Sequence, residues 1–135
     1  MIPDLSGQRA AILAVVELVD VPVFPAAPDG TLPAQFVVIG MPSWRPPDAA
    51  LCMATVDWPG MVCVARPGTS DTVTALALEG LWPQVLEVLD QAVEADPSLG
   101  GVCTYASLEN AEFTTVTIQG RDFPAQIINL KLKGA

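Results

Sequence analysis

Between residues 71 and 95, Leu78, Leu81, Val85, Leu89 and Ala92 recur on one stripe, and Gln84, Glu87, Gln91 and Glu94 recur on the opposite one. That period is helical, and a helix with one apolar stripe must lay it on another layer. The segment "RPGTSDT" opens the helix, with Ser70 or Asp71 as the cap. Pro83, with Gly80 before it, interrupts the pattern and predicts a kink or short break, because proline lacks the donor owed to Glu79. The helix stops near Ala95, since Asp96 precedes Pro97 and is pushed out of helical geometry. In "DPSLGG" the paired Gly100 and Gly101 tolerate left-handed dihedrals, and Leu99 is the one apolar side chain placed to plug the core.

Beyond that junction the period drops to two. "VCTYASLE", "FTTVTIQ" and "AQIINLKLK" read as three strands. Val116 and Ile118 oppose Thr115 and Thr117, and Ile128, Leu130 and Leu132 oppose Asn129, Lys131 and Lys133. "QGRD" at 119–122 is their hairpin turn. Upstream, residues 6–19 read as a helix with Ser6 as N-cap and Ala10, Leu13, Val16 and Glu17 at helical steps. "VPVF" is a short extended piece, "PAAPDGTLP" a loop, and "AQFVVIG" a strand buried on both faces. "MPSWRPPDAA" is a proline-rich connection. "LCMATVDW" and "MVCVAR" are two strands, with Pro59-Gly60 as the hairpin turn between them. The expected fold is one α+β domain over residues 1–135, with a mostly antiparallel or mixed sheet and two main helices on one face.

Charge and composition narrow the function. The chain has 135 residues, a net charge of −9 and only six basic residues, which are scattered, so a phosphate backbone finds no basic patch. Hydrophobic content of 51% against 16% charged favours a subunit whose surplus apolar surface is covered by neighbours. No apolar run reaches bilayer length, and no signal peptide or membrane partner is expected. With no histidine, Ser-His and Cys-His nucleophiles and the commonest neutral-pH base are excluded, leaving carboxylate or lysine chemistry. Cys52, Cys63 and Cys103 have no CxxC spacing, so reduced, buried thiols are expected rather than a metal site or a disulfide.

Three patterns could carry chemistry or contact. "RPGTSD" has a single glycine and no following lysine, and reads as a capped helix start rather than a phosphate loop. Glu87, Asp90 and Glu94 read as a solvated helix face before they read as catalytic carboxylates. Yet no Lys or Arg lies between Arg66 and Arg121, while Glu109 and Glu112 add to the acid, which hints at a use for negative surface. Trp82 belongs to the helix stripe. Trp44, Arg45 and Trp58 lie beside prolines in expected loops, where tryptophan can anchor a partner.

The order of these pieces resembles the tail terminator proteins of long-tailed, siphovirus-type phages, in the form found in phages of actinobacteria. The resemblance is carried by "GQRAAILAVVELV", "PAQFVVIGMPSW", "VLEVLDQAVEADPSLGGVC" and "TVTIQGRDFPAQIINLKL", and it covers nearly the whole chain. It implies a small α+β subunit, without catalysis or cofactor, that forms a hexameric ring. The ring caps the head-proximal end of the tail tube, stops tube growth and joins the tail to the head in the virion, after assembly in the host cytoplasm. Its partners would be the tail tube protein and a head-completion or connector protein, with DNA passing through the lumen unbound. Glu87, Asp90, Glu94, Glu109 and Glu112 are then the candidates to face the lumen, and Trp44, Arg45 and Trp58 the candidates to contact a partner. The competing readings are another neck or tail-tube component, a monomeric ligand- or peptide-binding module, and an enzyme using carboxylates alone.

Overall fold

The computed structural model describes residues 3–26, 28–47, 53–65 and 71–134, with the side chains of Pro59, 61–65 and 71–74 outside that description. The elements run α1 (Leu5–Val16), β1 (Val23–Phe24), β2 (Gln35–Ile39), β3 (Ser43–Arg45), β4 (Thr55–Ala65), α2 (Asp71–Ala95), β5 (Tyr105–Ile118) and β6 (Arg121–Lys133). The six strands form one sheet in the order β1-β2-β4-β6-β5, with β3 paired to β4. Every pairing is antiparallel except β1 with β2. The expected α+β class holds.

The main core lies between the sheet and the helices. Ile12 and Val16 of α1 and Leu78, Leu81, Val85 and Leu89 of α2 meet Val37, Ile39, Val56, Trp58, Ile128, Leu130 and Leu132 of the sheet. A second core sits on the other face, where Phe36, Val38, Phe123, Ala125 and Ile118 are covered by Leu32 and packed by Phe24. Phe36 stands edge-on to both Phe24 and Phe123, with ring centroids 5.8 and 6.2 Å away.

Several sequence expectations are corrected. The cap of α1 is Asp4, not Ser6: its Oδ1 accepts from the Gly7 N–H at 3.0 Å. The helix ends at Val16, and its buried stripe is Gln8, Ile12 and Val16 rather than Ala10, Leu13 and Glu17 alongside Val16. "MPSWRPPDAA" is not wholly a connection, because Ser43–Arg45 pairs with Thr55–Asp57 as β3. Residues 51–58 and 61–66 do not form a hairpin. Residues Thr55–Ala65 are one strand, and Pro59-Gly60 marks a bulge between Trp58 and Met61, where proline's missing donor does least harm. Nor are there three strands after α2. Tyr105–Ile118 is a single strand of 14 residues with a register shift between Leu108 and Asn110.

Both irregularities fall at one level of β6. Trp58 and Leu108 both lie opposite Leu130, and the register resumes at Ile128 on one side and Asn129 on the other. Each extra residue reverses the in-out alternation of its strand. Leu108 and Ala111, three apart, thus both pack on the helix-side core.

α2 runs unbroken through Pro83, which lies on the exposed side. Gln84 Nε2 donates to the Gly80 carbonyl at 2.7 Å, adding a side-chain bond beside the proline. The stripe of Leu78, Leu81, Val85 and Leu89 is buried as the period required. Ser70 lies outside the described residues. At the junction, Leu99 is buried with φ 48°, and Gly100 and Gly101 take φ 78° and 90°. Asp96 organises that turn: its carboxylate accepts from Ser98 Oγ at 2.7 Å, Gly100 N at 2.8 Å and Ser98 N at 3.1 Å. The Ser98 hydroxyl and then the Gly100 amide hold its carboxyl below the usual carboxylate range. Burial, and then the Asp96 charge, push the free Cys103 thiol up. Cys52 and the Cys63 side chain lie outside the described residues. The hairpin closes through Gln119 and Gly120 alone, at φ 54° and 75°, a two-residue turn with both central residues left-handed.

The bulge in β4 is held by a close backbone approach, with Gly40 N donating to Gly60 O at 2.8 Å. A Cβ on Gly60 would run into the backbone N, Cα and C of Gly40. Gly60→Ala should therefore cost about 1–3 kcal/mol. Gly80→Ala, where a Cβ meets nothing within 4 Å in mid-helix, should gain about 0.5–1 kcal/mol. Urea unfolding of the two variants checks the opposite signs.

Candidate functional site

Two polar constellations flank the level of the paired bulges. The first ties α1 to the sheet. Gln8, wholly buried, accepts from Trp58 Nε1 at 3.0 Å and donates through Nε2 to the Val102 carbonyl at 3.3 Å. Arg9 lies over the Trp58 ring, 4.9 Å from its centroid, and donates to the carbonyls of Ile39 and Gly40 at 3.0 Å each, and to that of Pro25. One tryptophan thus joins α1, β4 and the end of β2.

This corrects the placement of Trp58. It is 0% exposed and sits in β4, not in a loop, so it offers nothing to a partner. The cause is alternation: Val56 and Trp58, two apart in one strand, share the helix-side face. Gln8 and Arg9 were missed. The signal existed, since Gln8, Ile12 and Val16 are spaced by four, but it is legible only once the cap is moved back to Asp4.

The second constellation lies on the face away from the helices. Arg45 of β3, Asp57 of β4, Lys131 of β6 and Glu109 of β5 alternate in sign across four strands. Arg45 Nε is 3.0 Å from Asp57, and Lys131 Nζ is 4.0 Å from Asp57 and 3.8 Å from Glu109. Asn129 Nδ2 donates to Asn110 Oδ1 at 2.5 Å, and Asn110 Nδ2 donates to Glu112 at 2.8 Å. Arg45, Asp57, Glu109, Asn110, Asn129, Leu130 and Lys131 line an open depression of about 370 Å³. Each pair is partly exposed, so each contributes about 0–1 kcal/mol. The arrangement ties strands together rather than offering an unpaired charge to a ligand. Among the described residues no cluster of three or more Cys, Asp or Glu could hold a metal ion, and no helix is long and apolar enough to cross a membrane.

The five acidic candidates are not brought together. Glu87, Asp90 and Glu94 stand exposed on the outer side of α2. Glu109 pairs with Lys131, and Glu112 lies opposite Ile127, both on the far face of the sheet. The partner-contact candidates also divide. Trp44 and Arg45 are exposed on β3, with Trp44 at 48%, while Trp58 is in the core. Residues 66–70 of "RPGTSD" lie outside the described residues.

Neither the known family models nor the curated proteins contain a match to this chain.

The Gln8–Trp58 bond yields a direct test. Gln8→Leu strands the indole N–H in the core and should cost about 1–3 kcal/mol. Adding Trp58→Phe to that variant should cost less than the two single changes summed, because no donor is then left unpaired. Equilibrium denaturation of the four proteins measures the coupling.

Proposed function

We propose that this chain is the subunit of a structural ring, the tail terminator of a long-tailed phage. The observation that carries the reading is a sheet with open margins in a chain poor in charge. Among the described residues β1 and β5 end the strand order, β5 pairs only with β6, and β3, off that path, pairs only with β4. Large apolar side chains are exposed near both margins: Phe113 on β5, Trp44 on β3 and Met41 just before it. A long unpaired edge recruits further strands unless it is covered, and a structural subunit uses that property where a monomer must suppress it.

The likeness in element order supports the specific role. A terminator must match the tube on one side and present a different surface on the other. A hexameric ring, contacts to the tube and to a connector at the head, and a place in the virion neck belong to the same proposal, as does the absence of catalysis and of cofactors. The two acidic sets lie in different layers. A ring whose sheets run round its axis turns one set toward the lumen and the other outward, and an acidic inner wall lets DNA slide past.

The open β5 edge also suits a second reading, a module that adds an extended peptide as a further strand. Deleting the gene while leaving its neighbours intact separates the readings. Over-long headless tails beside filled heads, seen by negative-stain microscopy, are expected for a terminator. Tails of normal length without heads would point to a neck adaptor, and unaltered particles would contradict a virion role.

A further inference from the structure

We infer that copies of this chain join by strand addition, β5 of one copy pairing with β3 of the next, with Phe113 set opposite Trp44 and Glu112 opposite Arg45. The inference rests on the ring reading for its closure and on the sheet alone for its contact.

Strand direction comes first. The pairings β3–β4, β4–β6 and β6–β5 are each antiparallel, so β3, which shares its side of β4 with β2 and β1, runs opposite to β5 at the other margin. A neighbour that prolongs the sheet with its helices on the same side therefore brings its β3 alongside β5 antiparallel. In such a pair, setting Phe113 against Trp44 places Glu112 against Arg45 and Thr114 against Ser43, with no further choice.

The faces agree with that register. Phe113 lies opposite Gln126, in step with Ile128 and Leu130 of β6, and Trp44 lies opposite Val56 of the helix-side core. Both rings therefore sit on the helix side. Glu112 lies opposite Ile127, and Arg45 reaches Asp57, so both charges sit on the other side. Aromatic meets aromatic on one face while acid meets base on the other, both favourable cross-strand pairs. Phe113 is 66% exposed and Trp44 48%, so the contact covers two of the largest apolar side chains that the fold leaves in water.

The contact is confined to the level of Ser43–Arg45, because β1 takes the outer place beside β2 further along the same side of β4. Glu112 is already oriented by Asn110 Nδ2. When Arg45 turns to Glu112, Asp57 keeps Lys131 as its cation. The near end of the β5 edge is closed, since Ala106 N donates to the Pro97 carbonyl at 2.7 Å, which directs an incoming strand to the far half that carries Phe113. The contact is heterologous: each copy offers a β5 to one neighbour and a β3 to the other, so it closes as a ring or continues as a filament.

Cysteine pairing tests the contact in full-length protein. Phe113→Cys and Trp44→Cys are made in separate samples, because both positions are exposed and lie on opposite margins of one molecule. Mixed and oxidised, they should give a disulfide-linked pair above the level of wild type and of either variant alone, since opposed strand positions fall within disulfide reach. In parallel, Glu112→Arg and Arg45→Glu should each weaken assembly on the order of tenfold, and the double variant should recover it. Sedimentation measures that series. Assembled protein that gives no linked pair, or charge variants that assemble unchanged, would overturn the contact while leaving the terminator reading standing. Protein that stays monomeric throughout would also overturn it. The deletion phenotype stands or falls separately.

Discussion

The doubled bulge at Leu130 and Asn129 of β6 is the constraint on which the rest of the molecule depends. β4 and β5 flank β6, and each carries one extra residue at that level, at Pro59-Gly60 and at Glu109. Bulges bend and twist their strands, and two at one level fix where a sheet turns. They also reverse the in-out alternation along β5, so that Leu108 and Ala111, three apart, both pack on the helix-side core. The Gly40–Gly60 approach lets β2 and β3 lie end to end along one side of β4. Among the described residues that side of the sheet then ends in β1 beside β2 and in β3, and the other side ends in β5.

The same constraint explains which parts of the fold were legible in the sequence. Wherever one residue step set the alternation without interruption, the reading held: the α2 stripe, "QFVVI", Ile128 to Leu132, and the plug at Leu99. It failed at each bulge. Pro59-Gly60 carries the chemistry of a turn, and the run Glu109-Asn110-Ala111-Glu112 looks like a gap between strands. A bulge and a turn share local composition, and only pairing to β6 distinguishes them. The misplaced cap of α1 has a different cause: Asp4 and Ser6 are both good caps, and burial of Gln8 against Trp58 decides between them.

The candidate site was legible in part. Trp44 and Arg45 are where a partner could reach them, but Trp58 is withdrawn into the core beside Val56 by the alternation of β4. Its ring, indole N–H and the Arg9 guanidinium instead fasten the N-terminal helix, with the cation over the ring adding about 0.5–2 kcal/mol. The acidic residues were correctly expected on the surface, yet sequence could not assign Glu87, Asp90 and Glu94 to one layer and Glu109 and Glu112 to another. No local pattern encodes that division, because it depends on which face of the sheet the helices choose.

The proposed role as a structural subunit is best judged in an assembled form. The central claim is that this chain works by prolonging its own sheet into a closed ring. A reconstruction of the assembled protein by electron cryomicroscopy tests it most directly. The expected map shows a closed ring in which β5 of each copy hydrogen-bonds to β3 of the next, with an acidic inner wall. A map in which the copies meet through α2, with both sheet margins open to solvent, or in which Arg45 and Arg121 line the lumen, would contradict it.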